Sequence, residues 1–128
     1  MQLVIMSGRG FAETMAGPVR DTKRDPEELI QRIKADFLDF SISMKSPDFV
    51  KPLFILYKKD DLTKELEDVQ KKINAIVLAN DLTETCIAFE LPVYGFLTRL
   101  EAVTFVTSHT KRHIHQLKNI IQNIKQIA

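Results

Sequence analysis

The run TRLEAVTFVTSHTKRHIHQLKNIIQNIKQIA, residues 98–128, decides the fold class. Thr98 and Glu101 have the spacing of a capping box, in which hydroxyl and carboxylate each accept a backbone N–H that the first helical turn leaves unpaired. Leu97 is placed to pack as a hydrophobic staple against Ala102. No Gly or Pro follows before the chain ends. Val103, Val106, Thr110, His113, Leu117, Ile120 and Ile124 recur at alternating steps of three and four, the seam by which one helix packs into a bundle. A helix of about 28 residues spans roughly 40 Å at 1.5 Å per residue.

Upstream, three further helical stretches can be read. Residues 2–16 carry Leu3, Val4, Ile5, Met6, Phe11, Ala12 and Met15, and Gly17-Pro18 ends them. Gly8 and Gly10 weaken this helix, and the polar residues 19–24 read as a surface connection. Asp25 as N-cap, Pro26 in the first helical position and Glu28 three after the cap then announce a second helix. Its stripe is Leu29, Ile30, Ile33, Phe37 and Phe40, and Pro47 predicts that it fails near Lys45. Ser46 to Asp60, with the apolar patch Leu53–Tyr57, reads as a crossover packed on the bundle rather than a lone strand without a partner. A third helix is expected from Asp60 or Asp61 to about Ala79. It buries Leu66, Val69, Ile73, Ile76 and Val77 and leaves Lys64, Glu65, Glu67, Asp68, Lys71 and Lys72 in solvent. Residues 82–97 read as a loop. Ile87, Phe89, Leu91 and Val93 alternate as a strand would, but Pro92 argues against one. The sum is an all-α single domain over residues 1–128.

Composition narrows the class. An apolar fraction of 45% with 27% charged residues suits a globular domain with a sizeable core. A net charge of +1 supplies no field for nucleic acid or anionic membrane, and no apolar run approaches the roughly 20 residues of a membrane span. Arg99, Lys111, Arg112, Lys118 and Lys125 on the last helix read as a solvated face, so neither nucleic acid nor membrane is an expected partner. Cys86 is the one cysteine and reads as a buried, inert thiol. With no export signal in residues 1–6, a cytoplasmic location is expected.

The chemistry concentrates in three histidines within seven residues. His109 and His113 stand four apart, so their side chains leave the helix on one face, the spacing by which a helix gives two imidazoles to one metal ion. His113 lies on the apolar seam with His109 beside it, and burying imidazole without a partner is costly. The competing reading is a pair of exposed or hydrogen-bonded histidines. His115 points away from His113 and reads as a surface residue. No Glu follows either histidine as in H-E-x-x-H, which excludes that metalloprotease helix.

Ser108-His109-Thr110-Lys111-Arg112-His113-Ile114-His115-Gln116-Leu117 resembles the C-terminal helix signature of the DinB-like superfamily, which includes the YfiT-type proteins. Phe89–Gly95 resembles that family's loop into the helix, and Lys45–Pro52 the crossover of one bacterial branch. The resemblance covers roughly residue 10 onward. It implies an up-down-down-up helical bundle, commonly dimeric, with nickel or zinc held by three histidines. It further implies hydrolysis or thiol-dependent transfer on a small molecule whose identity the sequence does not give. His109 and His113 match two of the ligands. The third belongs on the family's second helix, which residues 1–16 resemble, and falls near Gln2 or Leu3. The family's first helix is absent. Either the chain begins at an internal methionine, or this member has lost the site. The resemblance therefore implies a divalent metal that is weakly bound or absent. The apolar groove left by the missing helix implies a homodimer. The alternative function is a metal-poor module for dimerisation or small-ligand binding. Glu13 reads as a surface carboxylate rather than a site residue.

Overall fold

Four helices, α1 (Gln2–Ala16), α2 (Glu28–Phe37), α3 (Lys59–Ala79) and α4 (Arg99–Ile127), accompany a small sheet of β1 (Val19–Arg20), β2 (Thr85–Leu91) and β3 (Gly95–Thr98). This computed structural model describes residues 2–42 and 58–127. The expected crossover at Ser46–Asp60 lies almost wholly outside the described residues.

α4 organises the rest. Its capping box forms in both directions: the Thr98 N–H donates to Glu101 Oε1 at 2.8 Å, and the Glu101 N–H donates to Thr98 Oγ1 at 3.0 Å. Leu97 and Ala102 are both buried in the main core cluster. In the first turn, buried Arg99 donates from Nε to the Met15 carbonyl at 2.8 Å. Its Nη1 donates to the Asp81 carbonyl at 2.8 Å and to Glu84 Oε1 at 2.7 Å. One guanidinium therefore ties the C-terminal end of α1 and the exit of α3 to the start of α4. Arg24, before α2, pairs with Glu101, whereas Arg112 donates to the carbonyls of Asp39 and Ile42 after α2. Hence α2 runs alongside α4 in the same direction, and α1 and α3 run opposite to it.

The all-α expectation is corrected by the sheet, and its up-down-down-up order by the alternating directions of α1 to α4. β2 pairs with β3 in an antiparallel hairpin, and β1 joins the other edge of β2 through Val19 opposite Cys86 and Arg20 opposite Thr85. The residues read as a surface connection and as a loop are thus strands. Pro92 does not oppose this, because it sits in the turn just past the end of β2, where it owes no ladder hydrogen bond. That turn closes with the Tyr94 N–H donating to the Leu91 carbonyl at 3.1 Å and holds Val93 at φ 78°. A β-branched residue resists this conformation. α2 holds the turn in place, with Arg32 donating to the Val93 carbonyl and the Tyr94 hydroxyl to Asp36 Oδ2 at 2.6 Å.

α2 ends at Phe37 rather than near Lys45. Asp39 Oδ1 accepts from both the N–H and the hydroxyl of Ser41, a local turn that competes with another helical turn. At its start, Asp25 Oδ1 accepts the Glu27 N–H at 2.9 Å in a local Asx turn, whereas the residue that precedes the regular helix is Glu27, with no side-chain cap, so the expected Asp25 cap is displaced from the helix start. Gly8 in α1 has a reason to be there: a Cβ at this position would stand 2.6 Å from Val69 Cγ1 of α3. The core between these elements gathers Phe11, Met15, Leu29, Ile33, Cys86 and Phe105. No helix among the described residues is long and apolar enough to cross a membrane.

Candidate functional site

His109 and His113 sit on the face of α4 that α1 and α2 cover. Their Nε2 atoms are 3.0 Å apart and their rings meet edge to face. His109 is stacked on Phe105, with centroids 5.5 Å apart, and meets the edge of Phe37 from α2 at 6.3 Å. Phe105 in turn contacts Phe11 of α1 and Phe37. The aromatic residues that fill the core therefore also fix the orientation of the first imidazole.

This setting keeps both rings neutral. Burial, with lesser contributions from His113 and Arg112, depresses His109 from 6.5 to about 4. Burial likewise lowers His113. A neutral imidazole offers a lone pair, as a metal ligand must. Two nitrogens each 2.0–2.1 Å from one ion lie about 2.9–3.4 Å apart for bond angles from square to tetrahedral, so the observed pair fits a shared ion. The nearby Arg112 cation opposes such an ion. Among the described residues, no group of three or more His, Cys, Asp or Glu side chains is placed to hold a metal. The donor set among the described residues is thus a pair.

The bond from Arg99 to Met15 sets the level of α1 against α4. Leu3 lies roughly 18 Å back along α1 from Met15, and His113 lies roughly 21 Å along α4 from Arg99, at 1.5 Å per residue. Leu3 is therefore level with His113, half-buried, and carries no donor atom. Glu13 is exposed. His115 is not a plain surface residue: it is half-buried, its ring stacks on Phe40 at 4.0 Å, and Nε2 faces the Asn119 side-chain amide at 3.2 Å. Cys86 is fully buried, and burial raises its thiol pKa, as an inert core cysteine requires.

Two residues read as solvated are structural instead. Arg99 and Arg112 are each 5% exposed, with their guanidinium groups engaged on backbone carbonyls. For Arg112 the helical spacing did carry a signal, since it lies three residues after His109 and so shares its covered face.

A small α+β protein with a partly buried histidine pair on its longest helix is the class these features define. No known family matches the chain, and no solved structure matches it. It is similar to the uncharacterized protein YuaE of Bacillus subtilis (strain 168), with 23% identity over 109 residues. That alignment covers 85% of this chain and 63% of YuaE, so the chain spans less than two thirds of the relative's length.

Proposed function

We propose that this protein binds a divalent metal, nickel or zinc, weakly through His109 and His113, and that it shares DinB-like ancestry through its histidine helix. One observation carries the reading: two part-buried imidazoles on one helix, the first packed on Phe105, turn their Nε2 atoms to within 3.0 Å of each other. On this reading the activity is hydrolysis or thiol-dependent transfer on a small molecule. A bound ion supplies Lewis acidity toward a substrate oxygen or water. The chain's own part is to orient and dry the donors. Phe105 and Phe37 fix the His109 ring, and Arg112 holds α2 against α4 through the Asp39 carbonyl. A lone buried Cys86 supports a cytoplasmic setting.

A second reading has its own support. An Nε2···Nε2 distance of 3.0 Å is also a direct N–H···N hydrogen bond, which satisfies both rings without an ion. The protein would then be a metal-free binding or assembly module. Equilibrium dialysis against buffered nickel or zinc separates the two. The metal reading expects about one ion per chain, lost in His113→Ala and in His109→Ala. Equal binding by the wild type and the double variant contradicts it.

A further inference from the structure

α4 outruns the described residues that pack on it. Its buried residues all fall between Arg99 and Arg112, and every described residue from Gln116 to Ile127 is exposed. This half is nevertheless apolar on one side. Leu117, Ile120, Ile124 and Ile127 continue the three-four seam, flanked by Ile114 and Ile121, and their exposures run from 45% for Ile121 to 87% for Ile127. We infer that Ile114–Ile127 is a self-association surface that packs against the same segment of a second copy of this chain.

Three observations select a second copy as the occupant. The first is period. The steps 117, 120, 124 and 127 follow a seven-residue repeat, the spacing by which a helix packs along one apolar seam with a partner helix of the same repeat. This chain supplies such a partner. The second is charge. Beyond Glu101 the helix carries no acidic residue, and the positions flanking the seam are Gln116, Asn123, Ile114 and Ile121. Lys118 and Lys125 lie on the outer side. No charge pattern selects an unlike helix, and two like helices meet without repulsion along the seam. The third is area. The six side chains expose on the order of 600 Å² per chain, so a pair buries about 1,200 Å², within the range of specific interfaces.

The test is sedimentation velocity across micromolar concentrations on the full chain and on the Ile120→Lys/Ile124→Lys double variant. Both positions are solvent-exposed in the single chain, so the variant keeps a folded core, checked by a cooperative thermal transition in circular dichroism, with a midpoint lowered only by the loss of the dimer. The expected result is a dimeric wild type and a monomeric, folded variant. A monomeric wild type, or a variant that still dimerises, overturns the proposal. So does a monomer whose Ile114–Ile127 amides exchange as slowly as the core, because the chain's own residues then cover the stripe.

Discussion

Arg99 Nε donates to the Met15 carbonyl at 2.8 Å, and that bond sets the level of α1 against α4. At about 1.5 Å per residue it brings the N-terminal end of α1, with half-buried Leu3, to roughly the height of His113. Leu3→His is expected to tighten nickel binding by about tenfold or more, since one further neutral imidazole adds a bond to an ion already held by two. Competition against a chromophoric chelator measures this. An affinity equal to that of the wild type would show that the two helices do not share a site.

The Arg99 guanidinium should matter far more than a surface charge. Arg99→Met strands the Glu84 carboxylate and the Met15 and Asp81 carbonyls, at an expected cost of about 3 kcal/mol in urea unfolding. Arg9, paired with Glu65 at 3.7 Å with both side chains about half exposed, is the control. Arg9→Ala should cost at most about 0.5 kcal/mol.

The cap of α4 gives a smaller and equally definite figure. Thr98→Ala removes the hydroxyl that accepts the Glu101 N–H in a buried helix start, and about 1 kcal/mol should be lost from the unfolding free energy. A change within the error of the measurement would mean that the capping box is not stabilising.

Acid should weaken the fold through His109. Its folded pKa is depressed to about 4 from 6.5, so between those values the unfolded chain binds a proton that the folded chain refuses. The contribution is complete above pH 6.5 and is lost as the pH falls toward 4. In metal-free buffer with a chelator, the wild type should lose more thermal stability across this window than His109→Phe, by several degrees. Parallel curves for the two proteins would remove the buried neutral imidazole from the account.

The starts of helices were legible where side chains satisfy the backbone locally. Thr98 with Glu101 marks the entry of α4 from sequence alone, Asp25 forms a turn just ahead of α2, and α3 begins and ends within a residue or two of expectation. The sheet was misread because its signals are non-local. Val19 and Arg20 become a strand only when Cys86 and Thr85 lie beside them, and Pro92 looks like an interruption until the turn places it outside β2. The seam of α4 named the apolar face correctly but not its cover. Periodicity says which side is apolar, whereas the lengths of α1 and α2 decide that Val103 and Val106 are packed and Ile120 and Ile124 are not. His109 and His113 were placed on one inward face, and the structure puts them together there. The burial of Arg99 and Arg112 escaped notice because each satisfies carbonyls far away in sequence.

The central claim is that His109 and His113 act as one ligand pair. A zinc titration followed by NMR of the three histidine imidazoles tests it most directly, with assignments from single His→Gln variants. The account predicts that the His109 and His113 signals shift together and that His115, stacked on Phe40, stays in place. If zinc moves neither of the paired rings, or moves only His115, the metal site does not exist.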